Sequence, residues 1–179
     1  MFRLRYFQNL TNFDLRKKLV VSLIFPHLDY YSSAIGELSK TQCDVLQKLL
    51  NSCVRYVFQS RYRDHVTPLR LSLGWLSIKH RRLVKSLCCI FNLLSTGKPQ
   101  YNREKIVLHV NPRPMRIREQ QLVLSRHKSS AEYDKSFLVC TIKEWNSLPL
   151  QFRKSETLSI FKSQITTHFL TLEKIHQSL

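Results

Sequence analysis

Three glycines in 179 residues leave this chain few ways to be a β-protein. Tight hairpin turns need residues with φ above zero, and glycine is the residue that adopts them without steric cost. The apolar residues mostly recur at intervals of three and four, the spacing of one helix face rather than the alternation of a strand. A mainly α fold follows: a helical bundle-like domain with at most one short β-hairpin in the middle.

The elements can be read in order. Leu15, Leu19 and Leu23 form a stripe on a first helix from Phe13 to Phe25, where Pro26 removes an amide and kinks or ends it; His27–Ile35 then resumes the helix. Ser39 or Thr41 caps a helix whose Leu46, Leu49, Leu50, Cys53, Val54, Val57 and Phe58 make a wide apolar face. Thr67-Pro68 opens a short helix ending at Gly74, with Trp75 as a packing anchor. From Ser77 a long helix runs through Leu83, Leu87, Ile90, Phe91 and Leu94 to Gly97, placed as a terminating glycine. Ile106–Val110 and Gln121–Leu124 lean towards strand. Ser136 caps a helix carrying Phe137, Cys140, Thr141 and Trp145, which Pro149 ends. The last helix sets Leu158, Phe161, Ile165, Phe169 and Leu172 at near-heptad spacing, for docking within the chain. The expected organisation is a helical region over 1–98, a basic proline-containing loop or short hairpin over 99–135, and a helical pair over 136–179 that packs on the first region.

Charge narrows the function. The chain carries 29 Lys and Arg against 12 Asp and Glu, a formal +17. Such self-repulsion opposes a compact monomer and is relieved by a polyanionic partner, nucleic acid first. An anionic membrane surface is the second suspect, but no apolar run approaches the ~20 residues that span a bilayer, and the spread basic features suit nucleic acid better, so no membrane partner is expected. Two stretches concentrate the surplus. Between Asp64 and Glu104 there is no acid, and Lys79, Arg81, Arg82 and Lys85 lie on the long helix there. Further on, Arg113, Arg116, Arg118, Arg126 and Lys128 face only Glu119, an exposed basic strip. Tyr56, Tyr62 and Tyr101 could supply rings on which unpaired bases stack, although tyrosine at helix spacing is more often half-buried packing. The opening MFRLRYFQNL shares its basic, acid-free composition with transit peptides, yet reads better as exposed turns of a first helix.

Several chemistries are not encoded. Phosphate cradles of the P-loop or dinucleotide type need glycines at fixed spacing, and three scattered ones exclude both. No two acids are adjacent, the nearest being Glu132 and Asp134, so paired carboxylates for two-metal chemistry are lacking. Five cysteines without a CxxC pair suggest neither a disulfide framework nor a zinc site; they read as small core hydrophobes in a reducing compartment. A hydrolase using His27 or His65 is the weakest alternative. No cofactor is expected.

The order of LVVSLIFPHLDYYSSAIG, LQKLLNSCVRYVF, HVTPLRLSLGWLSIKHRRL, GKPQY and KSFLVCTIKEWNSLPLQFRKSETLSIFKSQI resembles the carboxy-terminal region that follows the palm in jockey-type non-LTR retrotransposon reverse transcriptases. Its most specific pieces are Ile24-Phe25-Pro26-His27-Leu28-Asp29-Tyr30, and Trp145-Asn146-Ser147-Leu148-Pro149 followed by Phe161-Lys162. The resemblance implies a helical thumb and connection segment that holds template RNA and nascent DNA for an upstream palm. That family's Phe/Tyr-x-Asp-Asp signature is missing, for the chain contains no Asp-Asp. The resemblance therefore transfers no catalytic residue and implies a non-enzymatic relic or separated fragment of an RNA-directed DNA polymerase. Its expected partners are RNA or RNA–DNA duplex and a palm region; the rival expectation is a vestigial or protein-interaction-only domain. Nuclear or cytoplasmic residence follows from the family, with the short basic runs Arg16–Lys18 and Lys79–Arg82 as candidate nuclear addresses.

Overall fold

Helix α1 (Phe13–Leu19) begins at Asn12, whose side-chain oxygen accepts the Leu15 N–H at 2.8 Å. The computed structural model describes residues 4, 6, 8–30, 38–108, 121–124 and 130–178. The helix does not stop at Pro26. It widens into a π-helical turn, Val20–Ile24, and returns to α geometry as α2 (Phe25–Tyr30). Proline lacks an amide and its ring crowds the carbonyl four residues back, here that of Ser22; a widened turn just upstream accommodates both. The expected break is thus a change of pitch. The buried face also differs from the leucine stripe: Arg16, Val20 and Phe25 are buried, whereas Leu15 and Leu23 are 44% and 49% exposed.

Helix α3 (Lys40–Phe58) opens on a capping box. Gln42 N–H donates to Ser39 Oγ at 3.3 Å, and Ser39 N–H donates to Gln42 Oε1 at 3.0 Å. Leu50, Cys53, Val54, Tyr56 and Val57 are buried along it. Helix α4 (Val66–Ser72) holds Pro68 in its first turn, where a missing amide costs nothing. It ends at Gly74, φ 69°, with Gly74 N–H bonded to Leu71 O and Trp75 N–H to Arg70 O. Helix α5 (Ile78–Thr96) ends at Gly97, φ 70°, whose N–H returns to Leu93 O. Both glycines occupy left-handed backbone that a side chain would strain.

The described residues form two compact units. The first takes those up to 30, Leu38–Arg82, and those from Phe169 onward. Its core joins Val20 and Phe25 to Leu50, Cys53, Val54 and Val57 of α3 and to Val66, Trp75 and Ile78. Trp75 meets the Phe25 ring edge-on at 4.7 Å.

The second unit contains Leu83–His168. After α6 (Gln100–Arg103), β1 (Ile106–Leu108) and β2 (Leu122–Leu124) pair antiparallel, with Ile106 opposite Leu124 and Leu108 opposite Leu122. Then come α7 (Ala131–Asp134), α8 (Phe137–Ser147), α9 (Leu150–Arg153) and α10 (Leu158–Ser178), the last extending beyond this unit. Ser136 stands at the N-cap of α8, but its side chain makes no capping bond. Phe161, fully buried, stacks on Phe91 at 4.7 Å and tilts against Trp145 at 5.5 Å. Of the predicted stripe on α10, Phe161, Ile165 and Phe169 are buried and Leu158 is exposed. Asn146 completes β2 as a neighbouring strand would: its amide donates to Leu122 O and accepts Leu122 N–H, both at 2.9 Å. Among the described residues the fold is mainly α with one two-stranded antiparallel sheet.

Candidate nucleic-acid interface

The predicted cations on α5 meet different fates. Lys79 is exposed. Arg81 is committed within the first unit: Nε and Nη2 donate to the two Asp29 carboxylate oxygens at 2.7 and 2.9 Å, and its guanidinium lies 3.9 Å over the Phe25 ring. That bidentate, stacked geometry spends the charge on holding α2 to α5. Arg82 is half-buried, and burial lowers its pKa, opposed by Cys43, without discharging a guanidinium. Lys85 belongs to the second unit and is half-buried. There the Cys88 thiol is pushed up by burial, with Lys162 and Lys85 pulling it down and Cys89 adding to the rise. Arg113, Arg116, Arg118, Arg126 and Lys128 lie outside the described residues.

Other cations are structural, which the sequence did not signal. Arg16 is 7% exposed and donates to three carbonyls, Val57 O at 2.9 Å, Gln8 O at 3.2 Å and Thr11 O at 2.5 Å. It is therefore not presented on the surface as part of a basic run with Lys17 and Lys18. Of the three tyrosines weighed between stacking and packing, Tyr62 and Tyr101 are 87% and 64% exposed, and Tyr56 is buried. Arg61 and Arg63 flank Tyr62 in the exposed loop before α4. This basic–aromatic–basic triple is the exposed arrangement that sequence reading passed over, and its signal was a ring between two cations in a polar loop.

Arg70, Ser77, His80 and Glu173 gather around one buried carboxylate. Arg70 Nη1 donates to Glu173 Oε2 at 2.5 Å, and Ser77 Oγ and His80 Nδ1 each lie 2.5 Å from Oε1. Ser77 N–H donates to Oε1 at 3.0 Å. Burial alone pushes the Glu173 pKa up, but hydrogen bonds from His80, Ser77 and Arg70 outweigh it and hold the carboxyl at about 2. Serine, histidine and acid within reach invite a hydrolytic reading, which the geometry denies. A relay places hydroxyl and carboxylate on opposite ring nitrogens, whereas here both meet Nδ1 and the serine proton goes to the carboxylate. The cluster fastens the end of α10 to the start of α5.

Among the described residues no group of His, Cys, Asp and Glu could hold a metal ion. Nor is any described helix long and apolar enough to cross a membrane. All five cysteines are free thiols. No family model, curated protein or solved structure matches this chain.

Proposed function

We propose that this chain is the thumb-side region of a jockey-type reverse transcriptase, without catalysis of its own, and that it grips RNA or RNA–DNA duplex by charge. The observation that carries the reading is the formal +17 on a helical framework. Phosphate contacts position a duplex without reading its sequence, which is what a polymerase thumb requires. The two most specific pieces of the resemblance are each tied into their own unit. Phe25 and Asp29 engage Trp75 and Arg81, and Trp145 and Asn146 engage Phe161 and Leu122. Exposed cations on the described residues include Lys79, Arg61 and Arg63, and Tyr62 lies between the two arginines in sequence. On this reading the chain works in the nucleus or cytoplasm beside a palm region.

The test is titration of labelled RNA and RNA–DNA duplex across a salt series. Binding should weaken steeply with salt, by roughly a thousandfold or more between 50 and 200 mM if about six phosphates are neutralised. Lys79→Glu combined with Arg116→Glu and Arg118→Glu should abolish it. No binding at low salt overturns the proposal. A protein-interaction role is the second reading, favoured by the exposure of Leu15, Val21 and Leu23 along the first helix; it predicts partner association that survives those charge reversals.

A further inference from the structure

Tyr62 stands at the first corner of a turn between α3 and α4, and the turn is closed twice. Asp64 N–H donates to Arg61 O at 3.2 Å, and Arg61 N–H donates to the Asp64 carboxylate at 2.6 Å. Behind the ring stands a cation. The guanidinium of Arg55, on the last turn of α3, lies 5.3 Å from the ring centre, inside the ~6 Å reach of a cation–π contact. Arg55 is half-buried, on a helix that supplies the core of the first unit. One face of the ring is thus backed by a charge anchored in the fold. With Tyr62 87% exposed, the other face is open to solvent. The closed turn and the cation limit where the ring can go, so little conformational freedom is lost when something lies on its open face.

The surroundings define what that something is. Residues 55–64 hold three arginines, Arg55, Arg61 and Arg63, against one acid, Asp64. Arg61 and Arg63 are exposed. A nucleotide meets both features, with a flat π face for the ring and a phosphate for the cations. A continuous duplex keeps its base faces stacked and shows only phosphates, sugars and groove edges, so it has no use for the ring. An unpaired nucleotide does.

We propose that Tyr62 is a stacking platform for an unpaired base, so that the chain prefers nucleic acid with a single-stranded segment to a continuous duplex. This rests on the charge-driven grip proposed above and names the part of the ligand that charge alone does not select.

The experiment titrates the full chain at low salt, by fluorescence anisotropy, with three labelled ligands. These are a blunt RNA–DNA duplex, the same duplex with a short unpaired RNA extension, and the same with an abasic extension that carries the phosphates without the bases. The base-bearing extension should bind at least about fivefold more tightly than the abasic one, the effect of one stacked base. That ratio should hold across a salt series, because the two ligands carry equal charge. Tyr62→Ala should bring the two to the same affinity, and Tyr62→Phe should keep the ratio, since the ring and not the hydroxyl makes the stack. The position is exposed, so neither change removes a core contact. A DNA extension of the same sequence identifies the source: an equal gain assigns the platform to any unpaired base, a gain on RNA alone to an RNA strand. Blunt and abasic ligands that bind, with a ratio near one or a ratio that survives Tyr62→Ala, overturn this inference and leave the grip standing. Failure of every ligand to bind overturns both.

Discussion

Replacing Glu173 by Gln tests whether the carboxylate at the end of α10 holds the first unit together. Arg70 and Glu173 have side chains only 7% exposed each, so the pair is removed from water. Glutamine fills the same space, but its amide oxygen cannot serve Arg70, Ser77 and His80 together, and its NH2 opposes donors. Arg70 would keep its bond to Trp75 O at 2.6 Å and lose its counter-charge. Removing one partner of a buried pair costs about 3–5 kcal/mol. The lowered carboxyl pKa gives a second figure from the same contacts. Holding the carboxyl at about 2 instead of its usual value of 4.5 corresponds to about 3 kcal/mol of stability. Because the folded pKa lies below the unfolded one, that contribution is fully present above about pH 4.5. It is lost as the pH falls through about 2. Urea unfolding followed by tryptophan fluorescence, with Trp75 beside the cluster, should show Glu173→Gln about 3 kcal/mol less stable at pH 7. The gap should close as the pH falls towards 2. A loss under about 1 kcal/mol, the worth of a surface pair, or a gap that does not change with pH, refutes the reasoning.

Three further outcomes are expected. Arg16→Met keeps the aliphatic stem but strands the carbonyls of Val57, Gln8 and Thr11, and should cost about 2–3 kcal/mol by urea denaturation. Asn146→Ala removes both bonds to Leu122; it should cost about 1–3 kcal/mol and speed amide exchange at Leu122. Phe161→Ala, which empties the space between Phe91 and Trp145, should cost about 3–5 kcal/mol, measured by thermal unfolding.

Local rules carried far. Ser39 caps α3, Gly74 and Gly97 close their helices, and the apolar face of α3 is the buried one, because each depends on residues within a few positions. Pro26 read as a kink or an end with the helix resuming after it, and the π turn before it shows how the chain continues. What else the sequence did not show depended on distant partners. Arg16 read as surface charge because its acceptor, Val57 O, is 41 residues away. Arg81 read as a contact for phosphate, and Asp29, 52 residues away, claims it. A charge count cannot separate cations that cap carbonyls or fill ion pairs from those that face solvent. The cluster around Glu173 was invisible for the same reason.

The placement of Glu173 also sets a timetable. It lies 103 residues after the arginine it neutralises, so at ~5–20 residues per second a ribosome makes Arg70 about 5–20 s before its counter-charge exists. Over that interval the guanidinium has every reason to stay in water, and the first unit cannot close around it. Leu83–His168, contiguous in sequence, is complete before Glu173 is made, by about 0.25–1 s at that rate. Protease protection of nascent chains should therefore reach Trp145 before Trp75, so that the segment synthesised first is the last to become native.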